Sequence, residues 1–369
     1  MDQGRCRARD VGIVIGPYEP GRHNAITDVP GVRVGHVTLI RGEGPLRIGH
    51  GPVRTGVTAI VPPGDDWFHY PVEAGAYVFN GAGTTAGLSL IDEYGRLETP
   101  ILLTNTLSVG AAYEGIVRYM VDKIFRPRGE VPWFSPTVGE TADGYLNDIG
   151  GLHVRPEHAM QAIAEAAGGP VPEGAVGAGT GTSAFGWKGG IGTASRRVEI
   201  GGERRCIGVL VQSNFGGTLT INGVPMTGLE REGREEREDP PQESLGSSIM
   251  IIVATDLPLS SRLLQRLARR AAFGLARTGS SGSHGSGDYV IAFSTTYRTT
   301  PSDDPIVTAL RENEGVIDTA FKAVADATEE AILNSMFMAV TVTGRDGHTR
   351  RALPIERVVA RLRACGVLS

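Results

Sequence analysis

Residues 230 to 256 read "EREGREEREDPPQESLGSSIMIIVATD", and the fold is decided at the join inside this stretch. From Glu230 to Asp239 nearly every side chain is charged, and Pro240 and Pro241 follow. Charge at that density does not bury, and proline has no N–H to give to a sheet, so residues 230–246 read as an exposed linker. Ile249, Met250, Ile251, Ile252 and Val253 then form an apolar run between Gly246 and Pro258, the pattern of a strand covered on both faces. Ser248 stands at the frontier. A chain cut there gives a serine a free amine, which can act as general base for its own hydroxyl, a known way to activate a weak oxygen nucleophile. The competing reading is an ordinary charged surface loop leading into a strand.

The remainder of the chain sets limits on function. At 369 residues, 40% hydrophobic, the length suits one large domain or two ordinary ones with a sizeable core. A net charge of −5 with scattered basic residues gives no pull toward nucleic acid or an anionic membrane. Cys6, Cys206 and Cys365 are odd in number and far apart, which points away from a disulfide framework or zinc site and toward reduced thiols in the cytoplasm. No apolar run is long enough for a signal peptide or a membrane span. The 52 glycines cluster around short Val, Ile and Thr runs, which favours sheets joined by tight turns.

Strand and helix patterns alternate along the chain. Short strands fill residues 24–61. "GAYVFNGAGTTAGLSLIDEYG" and "PILLTNTLSVGAAYEGIVRYMVDKIF" each join a strand to a helix. Helices are expected over Pro156–Ala167 and Ser260–Ala276, with Leu263, Leu264, Leu267 and Ala271 on one side of the latter. "VIDTAFKAVADATEEAILNSM" reads as a further helix whose Glu329 and Glu330 face solvent. Strands are expected at Arg205–Gln212, Ile249–Ala254, "YVIAFSTT" and "MAVTVTG". The sum is one α/β domain with helices layered on a central sheet assembly.

Several constellations bear on chemistry. "VGAGTGTSAFGWKGGIGTASR", residues 176–196, is rich in glycine, but Gly186 is followed by Trp187 and Lys188, so neither a phosphate loop nor a dinucleotide fingerprint is complete. Closely passing backbones or a pocket wall are expected there instead. The histidines show no metal-binding spacing. In "TGSSGSHGSGDYVIAFST", Ser286 and Asp288 precede a buried strand and could stand beside Ser248, the carboxylate orienting the second hydroxyl. His284 is a rival base in the same loop. Asn214 ends the strand "VLVQSNFGG", where its amide could donate to an oxyanion. Glu140, read as lying in a turn of "TVGETADGYLNDIGG", could hold a substrate ammonium group. Glu140, Asp143 and Asp148 read equally as loop carboxylates.

These residues resemble a known family. "NAITDVPGVRVGHVTL", "TNTLSVG", "VGETADGYLNDI", "GAGTGTSAFGWKGGIGTASR", "VQSNFG", "SSIMIIVATD" and "GSGDYVIAFST" look like blocks of the L-aminopeptidase/D-esterase (DmpA) family, which includes the β-peptidyl aminopeptidases. The resemblance runs from about residue 23 to about residue 345. It implies a four-layer αββα fold of the type shared with ornithine acetyltransferases, self-cleavage into residues 1–247 and 248–369, and homo-oligomers of the cleaved pairs. It implies Ser248 as nucleophile with Ser247 as the fallback, Asn214 as oxyanion donor, Ser286 and Asp288 in support, Glu140 as the amine anchor, and neither cofactor nor metal. The activity implied is an aminopeptidase acting on short peptides, amides or esters with a free amine. The alternatives are acyl transfer of the ornithine acetyltransferase type, against which a serine argues because that relative uses threonine, and an unprocessed binding protein. Leu107 stands where relatives frequently carry His.

Overall fold

The apolar run of the junction forms a strand over Ser247–Thr255 that is buried at every position. It lies in the middle of a sheet, antiparallel to Glu203–Asn214 on one side and parallel to Ser286–Arg298 on the other. The computed structural model describes residues 4–229, 247–298 and 314–368. The linker expected over 230–246 lies outside them.

In chain order the strands are β1 (Arg33–Arg41), β2 (Val53–Val61), β3 (Val72–Gly81), β4 (Arg96–Leu97), β5 (Ile101–Asn105) and β6 (Thr137–Thr141). They continue with β7 (Ser183–Ala184), β8 (Trp187–Lys188), β9 (Gly190–Ile200), β10 (Glu203–Asn214), β11 (Thr220–Ile221), β12 (Val224–Pro225), β13 (Ser247–Thr255) and β14 (Ser286–Arg298). The helices are α1 (Leu88–Tyr94), α2 (Val109–Met120), α3 (Arg126–Arg128), α4 (Pro156–Ala164), α5 (Ser261–Arg277), α6 (Glu314–Phe337) and α7 (Ile355–Ala364). One sheet has the order β1-β2-β5-β6 and the other β4-β3-β14-β13-β10-β9.

Side-chain alternation turns these sheets into layers. Ile249, Ile251 and Val253 face outward from β13 and pack with Leu264 and Leu267 of α5 and Val324 and Ile332 of α6. Met250 and Ile252 face the other way and meet Ile60, Ile101 and Leu103 of the four-stranded sheet. The far face of that sheet, with Val57, Leu102 and Val138, is covered by Ile116 of α2 and Ala159 and Ala162 of α4. The molecule is therefore helix, sheet, sheet, helix, the four-layer αββα order expected.

Two expectations need correction. The stretch 338–344 gives only a two-residue strand, Val342–Thr343, because the turn at Arg345–Gly347 folds it straight back on Thr349–Arg350. Glu329 and Glu330 are not on a solvated face: both are buried, Glu330 completely. Helix α6 lies against β9 and β10 on one side and α5 on another, and the N-terminal segment closes over it. Glu330 survives burial because cationic and amide donors converge on it. Arg196 Nη2 donates at 2.6 Å, Arg9 Nε at 2.9 Å and Asn24 Nδ2 at 2.5 Å.

Helix α6 reaches β9 at a glycine. A Cβ on Gly192 would lie 2.0 Å from the Ala331 carbonyl oxygen, so backbone meets backbone with no room for a methyl. Gly192→Ala is expected to lose ~1–3 kcal/mol, read as a lowered thermal midpoint, because helix and strand must separate.

Candidate active site

Register brings several of the candidate residues together at the start of β13. Ser247 pairs with Ser286 and Ser248 with Gly287 across the parallel ladder, while Asn214 pairs with Ser248 across the antiparallel one. Because side chains alternate, the two serines point to opposite faces of the sheet. Ser286 Oγ stands 2.7 Å from Asp288 Oδ1, to which its hydroxyl donates, and 3.2 Å from Ser247 Oγ. Burial pushes the Asp288 carboxyl up from its ordinary value, opposed by the Ser286 hydroxyl and the Ile249 N–H. Ser286 and Asp288 thus come together as expected, but they are brought to Ser247 and not to Ser248.

Ser248 shares its face with Met250, whose Cε packs so closely on Gly139 that a Cβ there would be 2.3 Å away. That face is the space between the sheets, and Asn214 lies on it directly opposite Ser248. Asn214 is buried, and its Oδ1 accepts the Ser183 N–H at 2.9 Å.

Glu140 is not in a turn but inside β6, because the parallel pairing with Ile101–Asn105 continues through it. Its Oε1 accepts the Thr84 N–H at 2.9 Å, and the Thr106 hydroxyl donates to Oε2. Burial raises its pKa, and these two donors pull it back only in part. A Cβ on Gly83 would lie 2.9 Å from Glu140 Oε1 and 3.3 Å from the Gly287 Cα. Gly83 is thus flanked by the carboxylate and by the residue that pairs with Ser248. Leu107, beside Thr106, is exposed.

The neighbouring carboxylates are not loop surface either. Asp143 is enclosed and pushed up to about 7 by burial, against hydrogen bonds from Thr55, Asn147 and Asn105. Asp148 Oδ2 accepts from the Gly49 and Gly51 N–H groups and lies 2.9 Å from His153 Nε2, which ties down the turn before β2. His284 is exposed on the turn before β14. Among the described residues no group of three or more His, Cys, Asp or Glu is placed to hold a metal, and no helix is long and apolar enough to cross a membrane.

The glycine-rich stretch does what was expected of it, passing backbones at close range. A Cβ on Gly181 would lie 2.1 Å from the Arg54 carbonyl, and one on Gly190 2.3 Å from that of Gly174. Sequence reasoning missed Lys188 within it. Its buried Nζ donates to the carbonyls of Gly179, Thr182 and Gly189 at 2.8, 2.9 and 2.9 Å. Burial lowers it to about 7, opposed by Asp143. A lone lysine inside a run otherwise nearly free of charge was the available signal.

Known proteins carry the same design. The sequence profile of peptidase family S58 matches residues 24–350. The β-peptidyl aminopeptidase BapA of Sphingosinicella microcystinivorans is 44% identical over 94% of this chain and 89% of its own. The crystal structure of the PH0078 protein from Pyrococcus horikoshii OT3 superposes with a TM-score of 0.90 at 48% identity, covering 98% of this chain and 100% of that one. The L-aminopeptidase D-Ala-esterase/amidase of Ochrobactrum anthropi, described as a variant of the Ntn hydrolase fold, gives a TM-score of 0.88 at 41% identity over 98% of this chain and 99% of that one. With so much of the chain matched, in profile and in three dimensions, it belongs to peptidase family S58.

Proposed function

We propose that this protein is a self-processing aminopeptidase whose nucleophile is Ser248, freed by a cut that leaves residues 1–247 and 248–369 as partners. The observation that carries the reading is Ser248 directly opposite Asn214 on the face between the sheets, with Gly83 flanked both by the Glu140 carboxylate and by Gly287, the residue that pairs with Ser248. On this reading Ser248, Asn214 and Glu140 supply an attacking oxygen, an amide donor and an anion.

The chemistry then runs in order. The substrate's ammonium group sits against Glu140, which places the carbonyl carbon at Ser248. The free α-amine of Ser248 takes the proton from its own hydroxyl as Oγ attacks. Negative charge gathers on the carbonyl oxygen and is met by the Asn214 amide. The departing amine takes up the proton, and water releases the acyl group. Removal of Ser247 with the first fragment leaves Ser286, still held by Asp288, facing the new terminus. Short peptides, amides and esters with a free amine fit this site, and homo-oligomers of the cleaved pair are the proposed assembly.

The contact between Ser286 and Ser247 favours a second reading, in which the cut falls before Ser247 and Ser247 attacks. The amino-terminal residues of the smaller mature chain decide between them: Ser-Ile supports Ser248, and Ser-Ser supports Ser247. A mature enzyme of one intact polypeptide would sink both.

Glu140→Gln should lower kcat/KM for free-amine substrates by about 10²-fold, since a partly buried charge pair is lost. The same loss should not appear with N-acetylated substrates, which lack the cation and turn over slowly in either enzyme. Only the carboxylate form binds the cation, and its pKa is raised. The kcat/KM of the native enzyme should therefore fall on the acid side at a pH above the ordinary glutamate value, and that acid limb should change in the Gln variant.

A further inference from the structure

Residues 183–188 form a hairpin in which β7 pairs with β8 and the chain turns through Phe185 at φ 52° and Gly186 at φ 80°. Two successive positive φ values give the tight turn that matches strand twist, but at Phe185 a Cβ makes that conformation costly, so neighbours must hold it. Several do. The Phe185 N–H donates to the Phe215 carbonyl at 2.8 Å, and the two rings meet edge to face with centroids 5.0 Å apart. The Lys188 N–H donates to the Arg351 carbonyl at 2.8 Å, and its ammonium group gathers the three carbonyls described above. Arg350 is buried, with Nε donating to Ser183 Oγ at 3.1 Å and its guanidinium lying 3.9 Å from the Tyr145 ring centroid. The outcome is a Ser183 N–H fixed 2.9 Å from Asn214 Oδ1.

An asparagine amide has two ends of nearly equal shape and opposite hydrogen-bonding sense. A backbone N–H can only donate, so it accepts the oxygen end and rejects the NH2 end. We propose that the 183–188 hairpin, braced by Arg350 and Lys188, sets the orientation of the Asn214 amide, keeping its NH2 group turned to the oxyanion. Ser183 and Arg350 are on this reading positioning residues for transition-state stabilisation. The inference rests on the assignment of Asn214 as oxyanion donor.

The test is a double-mutant cycle on the cleaved enzyme, with rates per mole of cleaved chain. Asn214→Ala should lower kcat by about 10²-fold. Ser183→Ala and Arg350→Lys should each lower kcat by about 10-fold with KM and thermal midpoint little moved, and neither should lower it further in the Asn214→Ala background. A free-amine amino aldehyde, which forms a tetrahedral adduct with a serine, should bind the two single variants more weakly by the same factor, whereas a product amine should not. Losses that add in the Asn214→Ala background, losses confined to KM, or no loss at all would overturn the positioning role. An unchanged kcat in Asn214→Ala would instead overturn the oxyanion assignment. Ser183→Ala removes a single oxygen, so it carries the test if Arg350→Lys folds poorly.

Discussion

Ser248→Ala is expected to run as one full-length band on denaturing electrophoresis and to hydrolyse free-amine substrates at least ~10⁴-fold more slowly than the native protein. On the proposed reading two functions vanish together because one oxygen would serve both, attacking the preceding peptide bond once and the substrate thereafter. Ser247→Ala should still be cut and should remain active, since on this reading its side chain leaves with the first fragment. The reverse pattern, an uncut Ser247→Ala beside a cut and active Ser248→Ala, would transfer the nucleophile to Ser247 and to its contact with Ser286 and Asp288.

Glu330→Ala should be the most damaging substitution remote from the site. It would leave the fully buried Arg196 without its anion and take the shared partner from Arg9 and Asn24. Removing one member of a buried ion pair costs about 3–5 kcal/mol, because the surviving charge can neither pair nor reach water. The thermal midpoint and the denaturant midpoint of the cleaved protein should both fall steeply. Glu330→Gln, which keeps the shape and one acceptor, should fall less. A loss below ~1 kcal/mol for the alanine variant would mean that Arg196 finds another partner or water enters.

What the sequence made legible was local. The switch from charged residues to an apolar run marked β13, and the same punctuation marked Asn214 at the end of β10 and Ser286 at the start of β14. Ser286 and Asp288 are two apart on a strand, so their common face follows from pleating alone. What stayed hidden depends on register between strands far apart in the chain. Whether Ser286 meets Ser247 or Ser248 turns on a shift of one residue, which moves a side chain to the other face, and no local pattern encodes it. Glu140 looked like a turn residue because glycines and small polar residues surround it; Gly139 instead makes room for the Met250 side chain of the facing sheet. Glu330 looked solvated because a glutamate pair on a helix is ordinarily exposed, and its partners come from residues 9, 24 and 196, beyond any local window.

Strand β13 is gripped on both edges: by β10, which precedes the proposed cut, and by β14, which follows it. Scission at its first residues would therefore sever the backbone without opening the sheet, and the two products would stay interleaved like the fingers of clasped hands. Neither piece alone contains the six-stranded sheet, since β3, β4, β9 and β10 lie before the proposed cut and β13 and β14 after it, so each made separately should fail to fold, and on this reading scission would have to follow folding.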